Sequence, residues 1–166
     1  EATGASVSVV IRATSADTSS TTFSQSITVN DLNDIPPVIV PGQSFTLSEF
    51  ASAGTNVGVV NATDPDTVGV VSGWTITAGN NDGVFAIDSA TGLITVADAT
   101  SINFETTANY SLTLTVSDGT TVSAPQSVDI VVQNENDAPE LNPATFSVDE
   151  NSSNGSVFGV MSASDE

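Results

Sequence analysis

The stretch Asp31-Leu32-Asn33-Asp34-Ile35-Pro36-Pro37 returns, altered, as Asn134-Glu135-Asn136-Asp137-Ala138-Pro139. Each copy follows an alternating apolar run, Ser26–Val29 and Ser127–Val132, and each leads into proline, which ends a strand by removing its N–H donor. Asp34 and Asp137 are 103 residues apart. Phe45-Thr46-Leu47-Ser48-Glu49 returns as Phe146-Ser147-Val148-Asp149-Glu150, and Ala62-Thr63-Asp64 as Ala163-Ser164-Asp165, both after 101 residues. Three features in one order at nearly one spacing indicate a tandem repeat of about a hundred residues. A unit of that size can bury its own core. The spacing predicts the last strands of one unit over 1–35, a complete unit over 36–138 and the first strands of another over 139–166. The chain then reads as a segment of a longer protein.

Charge narrows what such a chain can do. Among 166 residues there are 20 Asp and Glu and a single basic side chain, Arg12, for a net charge of −19. That surface repels nucleic acid and anionic lipid. With no His and no Cys, nucleophile–base pairs and soft-metal sites are nearly excluded, and no disulfide braces the fold. No phosphate-binding glycine loop is present, and no apolar run is long enough to span a bilayer. An enzyme is not expected.

Alternation of apolar and polar residues predicts strands at Ser44–Leu47, Val57–Ala62, Trp74–Ala78, Val84–Ile87, Leu93–Val96, Tyr110–Ser117 and Ser127–Gln133. Between them lie turn signals: Ala53-Gly54, Asp64-Pro65-Asp66, Asn81-Asp82-Gly83, Thr91-Gly92 and Asp118-Gly119. Seven short strands so spaced predict an all-β, antiparallel, seven-stranded Greek-key β-sandwich. Ser101–Glu105 is a candidate single helical turn. Upstream, Ser6–Ile11 and Phe23–Val29 read as a hairpin joined through the polar turn Thr18–Thr21. Trp74, Phe85, Phe104 and Tyr110 are candidate core residues.

The chemistry left to this inventory is that of a hard cation. Calcium takes six to eight oxygens from carboxylates, amides, carbonyls and water. The candidate ligands are Asn33, Asp34, Glu49, Asp64, Asp66, Asn103, Glu105, Asp118, Asn136, Asp137, Glu150 and Asp165. Most stand just before or after a predicted strand. Each also has a plainer reading as turn chemistry or solvated surface.

Asp31–Pro36, Asp64-Pro65-Asp66, Ile102-Asn103-Phe104-Glu105, Ala90-Thr91-Gly92-Leu93-Ile94 and Glu49 after Phe45-Thr46-Leu47 together resemble the signatures of cadherin repeats, including those of large bacterial surface adhesins. The resemblance covers the whole chain. It implies Ca2+ between consecutive repeats, with ligands drawn from both. The first junction would take Asn33, Asp34, Asp64, Asp66 and Asp118, with carbonyls of Leu32, Ile35 and the Val71–Ser72 turn. The second would take Glu49, Asn103, Glu105, Asn136, Asp137 and Asp165. Asn103 stands where the family usually has Asp, and Asn134 replaces the Asp seen at Asp31, so the second junction loses charge. The shortage of Lys and Arg, the lack of Cys and the Ser/Thr/Val-rich strands suggest a microbial surface protein.

The resulting expectation is a calcium-stiffened spacer or adhesion segment, extracellular, secreted or on the cell surface. Its partners would be neighbouring repeats, with a homophilic or cell-surface glycan partner also compatible, and neither nucleic acid nor membrane insertion. Two other readings are open. Half-units at both ends could be complemented by neighbouring chains in a filament or surface layer. A carbohydrate-binding module of a secreted enzyme is the other, and it would require an exposed aromatic strip.

Overall fold

The computed structural model describes residues 6–165. Its strongest sequence signal, alternation, becomes its most buried layer. In β11 (Gln126–Gln133), Val128, Ile130 and Val132 face inward at 0–1% exposure while Ser127, Asp129 and Val131 face out. β10 (Asn109–Ser117) buries Leu112, Leu114 and Val116 in the same way and pairs antiparallel with β11, Leu112 opposite Val128. These form the middle of a four-stranded sheet, β4-β11-β10-β7, with β4 at Ser44–Ser48 and β7 at Ser72–Ala78. A second sheet, β5-β9-β8, comprises Asn56–Val59, Leu93–Val96 and Phe85–Ile87. A two-stranded ribbon joins β3 (Val38–Ile39) to β6 (Ala62–Thr63).

The sheets share one core that includes Trp74, Phe85, Ile94, Leu112 and Ile130. Burying each large apolar side chain contributes about 1.5–3 kcal/mol, so the all-β sandwich rests on this layer. Phe85 and Tyr110 meet edge to face at 5.1 Å. Trp74 is 5% exposed, which leaves no indole face for a sugar.

The sandwich differs from the expected pattern in several places. The sheets are antiparallel except that β4 runs parallel to β11, Phe45 opposite Ile130. The run Val57–Ala62 is divided between β5 and β6 because its partner changes: up to Val60, whose N–H donates to the Gly92 carbonyl, it lies beside β9, and from Asn61, whose carbonyl accepts the Val40 N–H, it lies beside β3. Ser101–Glu105 contains no helix; its backbone is held by isolated bonds such as Ile102 N–H to the Ala99 carbonyl at 3.2 Å. Upstream, β1 (Ser6–Thr14) and β2 (Ser20–Thr28) form a hairpin exposed throughout. It turns at Ser15–Ser19, earlier than Thr18–Thr21, since Asp17 accepts the Ser19 N–H and the Ser15 and Ser19 hydroxyls.

Close backbone approach explains one glycine. After β7, Gly79 has φ +83°, and a Cβ there would lie 2.0 Å from the Ser111 carbonyl oxygen. Part of the local packing recurs downstream. Gly58 lies under the Phe45 ring, and Gly159 lies under Phe146, 101 residues on in both cases. β12 (Glu140–Leu141) pairs with β13 (Ala163–Ser164) as β3 pairs with β6.

Candidate metal centres at the two linkers

Both candidate centres form where a proline-ended linker meets the loops of the sandwich. At the first, the linker after β2 lies against two turns. Asp66 is buried, and its Oδ2 accepts the backbone N–H of Asp34 at 2.9 Å and of Ile35 at 2.8 Å. Asp64 Oδ1 accepts the Asp66 N–H and so shapes the Asp64–Asp66 turn. Asp118, 3% exposed, is pinned in its own turn: Oδ1 accepts the N–H groups of Thr120 and Thr121, and Oδ2 the Thr121 hydroxyl. The Thr121 bonds hold the Asp118 carboxyl below its ordinary pKa. Asn33 Nδ2 donates to the Asp118 carbonyl and to Thr120 Oγ1.

These bonds leave two buried oxygens, Asn33 Oδ1 and Asp66 Oδ1, that accept no hydrogen bond. A buried unsatisfied acceptor costs about 1–3 kcal/mol. A hard cation relieves that cost, and both atoms are of the type calcium selects. Five expected residues therefore sit on or beside the linker, although the four carboxylates among them do not converge to one point. Asp31 joins them, with Oδ2 accepting the Thr67 N–H at 2.7 Å and hydroxyl at 2.8 Å. It opens the repeated linker motif, which was the available signal for including it.

At the second centre the carboxylates do converge. Glu49, Glu105 and Asp137 offer oxygens that all lie within 4.8 Å of one another. Three regions supply them: the end of β4, the Ile102–Glu105 loop and the linker after β11. Glu49 is 5% exposed, and its carboxylate accepts the N–H of Phe104 at 2.9 Å and of Glu135. Those two donors hold its pKa below the ordinary carboxylate value, against the opposing effect of desolvation. Two carboxylates at about 4 Å repel by about 1 kcal/mol in bulk water and several-fold more where water is excluded. With one basic residue in the chain, an inorganic cation is the physical counter-charge available.

The remaining expected ligands beyond the first junction are Asn103, Asn136, Asp165 and Glu150. Asn103 uses Oδ1 to accept the Thr106 N–H, a local turn bond. Asn136 is exposed and donates to the Asp137 carbonyl. Asp165, after β13, and Glu150, in the turn 101 residues after Glu49, are exposed. The linker is also tied to the sandwich directly: Asn134 Nδ2 donates to Glu105 Oε1 at 2.8 Å, and the Ser48 hydroxyl donates to Glu135.

The described residues thus form an all-β sandwich with an acidic, proline-ended linker at each end. The cadherin domain family matches residues 43–133, more than half of the chain, and the chain belongs to that family. It is 34% identical over 150 residues to human cadherin EGF LAG seven-pass G-type receptor 2, covering 86% of this chain and 5% of that protein. It is 38% identical over 117 residues to rat cadherin-23, covering 67% of this chain and 4% of the relative. Among solved structures, the extracellular cadherin domains 1–5 of protocadherin gamma B2 superpose with a TM-score of 0.65 at 29% identity, over 88% of this chain and 29% of that one. Human CDH23 EC21-23 shares the fold with a TM-score of 0.70 at 20% identity, over 95% and 53% of the two chains. The chain thus spans a small fraction of the curated relatives it matches. Cadherin domains are extracellular or cell-surface adhesion modules, not enzymes, and generally bind Ca2+. Among the described residues, no helix is long and apolar enough to cross a membrane.

Proposed function

We propose that this chain is a calcium-binding stretch of a large surface protein, in which cadherin repeats act as a calcium-stiffened spacer or adhesion segment. The observation that carries this reading is the convergence of Glu49, Glu105 and Asp137 in a chain with almost no positive charge. Glu49, Glu105 and Asp137 would hold calcium at the second junction, with Asn103, Asn136 and Asp165 beside them. Asn33, Asp34, Asp64, Asp66 and Asp118 would serve the first, and Glu150 a site beyond the following unit. The division into residues 1–35, 36–138 and 139–166 is supported by the recurrence of the β3–β6 pairing as β12–β13. The scarcity of basic residues and the lack of Cys favour a microbial surface adhesin as the source. Its partners would be neighbouring repeats, together with a second copy of the protein or a surface glycan.

Extracellular modules bind calcium at about 10⁻⁴–10⁻³ M, so millimolar calcium adds about 0.4–1.4 kcal/mol per site. Several sites must act together to lock a junction. Without calcium, like charges face each other across each linker, and the units splay. Small-angle scattering on three consecutive complete repeats containing this chain tests the reading. A longer, stiffer particle in millimolar calcium than in chelator is expected. Equal maximum dimension and flexibility in both would overturn it.

A further inference from the structure

The two linkers differ at their first residue, Asp31 in one and Asn134 in the other, 103 residues apart. Asp31 is an acceptor, taking the N–H and hydroxyl of Thr67. Asn134 acts as a donor, its Nδ2 giving a hydrogen to Glu105 Oε1 at 2.8 Å. That oxygen belongs to one of the three carboxylates that converge within 4.8 Å. Glu135 next to it gives its N–H to Glu49 and accepts the Ser48 hydroxyl on its own carboxylate. Three hydrogen bonds therefore hold Asn134–Glu135 to the sandwich, and none of them requires an ion. Glu135 restores the linker's formal charge, but its carboxylate accepts the Ser48 hydroxyl and is not among the three that converge.

Resting on the reading of this cluster as a calcium site, we propose that Asn134 is a positioning residue that latches the second linker without calcium and, in doing so, lowers the cluster's calcium affinity. Two physical reasons act in the same direction. The amide N–H occupies a lone pair of Glu105 that a cation would otherwise take. An uncharged side chain also stands where the first linker has a carboxylate, and calcium affinity in oxygen sites follows the ligand charge count. The exchange of Asp for Asn thus trades ion affinity for ion-free order.

The test uses the ¹⁵N-labelled 166-residue chain, with calcium itself as the probe. The amides of Phe104 and Glu135 both donate to Glu49 and report on the cluster. In Asn134→Asp, a carboxylate faces Glu105, and the latch becomes a repulsion. Exchange of the Glu135 amide in chelator should rise about tenfold or more, the equivalent of one charge-assisted hydrogen bond. The calcium concentration that half-shifts these resonances should fall about fivefold or more. Asn134→Ala should raise exchange and lower the calcium midpoint by less than Asn134→Asp does, since it frees the Glu105 lone pair but adds no charge. Unchanged exchange in both variants overturns the latch. A calcium midpoint that is unchanged or higher in Asn134→Asp overturns the effect on affinity. If calcium shifts these resonances in no form of the chain, the calcium reading itself fails, and the exchange arm alone still decides whether Asn134 is a latch.

Discussion

Replacing Asp66 by Ala isolates what holds the first linker in place. Its Oδ2 accepts two backbone donors, from Asp34 at 2.9 Å and Ile35 at 2.8 Å. Hydrogen bonds to a charged group contribute about 1.5–3 kcal/mol each when the donors stay dry. Asp34 is exposed and Ile35 half-buried, so both N–H groups regain water when the acceptor is lost. The pair should then contribute about 2 kcal/mol, the lower part of that range. Amide exchange at Asp34 and Ile35, measured in chelator to remove any ion, should accelerate about 30-fold. Asp66→Asn keeps a neutral acceptor and should accelerate it about fivefold. The amides of Leu112 and Ile130, deep in the core sheet, should stay slow. Unchanged exchange at Asp34 and Ile35 would refute the argument that Asp66 grips the linker. Equal acceleration at Leu112 and Ile130 would show that the substitution unfolds the sandwich instead. In calcium, Asp66→Ala should raise the calcium needed at the first junction and leave the Phe104 and Glu135 resonances titrating as before.

Three further outcomes follow from the same structure. Gly79→Ala forces a Cβ against the Ser111 carbonyl at φ +83°, so the two penalties together should remove about 3 kcal/mol or more, read from urea unfolding. Trp74, 5% exposed, should emit at short wavelength and resist quenching by iodide; a red, readily quenched emission would contradict its place in the core. The bonds from Thr91 and Ala90 hold the Asp88 carboxyl below its ordinary pKa of 3.8. A carboxyl with a depressed folded-state pKa stabilises above its unfolded value and loses that contribution as pH falls through the folded value. The stability gap between wild type and Asp88→Asn should thus be constant from pH 5 to 7 at about its maximum and shrink below about pH 3.8. A gap that does not change with pH would contradict it.

The strands of the complete unit could be read from the chain because alternation is a local consequence of pleating: Leu112, Leu114 and Val116 must face one way once the backbone is extended. Turns were legible for a similar reason, with Asp88 closing the Ser89–Gly92 turn by bonds to residues two and three positions on. The family resemblance was legible because its motifs are short and recur at one spacing. The parallel placement of β4 against β11 was not, since it depends on which strand lies beside which after the chain has crossed between sheets. Nor could spacing tell that the run Val57–Ala62 would pass from β9 to β3 as its partner and so divide β5 from β6.

The candidate ligands divide in the same manner. Their chemical type, oxygen donors in a chain of net charge −19, follows from composition alone. Which of them meet does not. Glu49, Glu105 and Asp137 are far apart in the chain and come within 4.8 Å only because β4 and β11 are neighbours and the Ile102–Glu105 loop folds over their ends. Asn103, two residues from Glu105, accepts the Thr106 N–H on its Oδ1. Most strands and turns of the complete unit were thus legible in residue order, because each rests on sterics and hydrogen bonding within a few positions. The grip of Asp66 on the linker and the convergence of three carboxylates were decided by the tertiary structure, because a hydrogen bond or a repulsion between distant residues exists only after packing has brought them together.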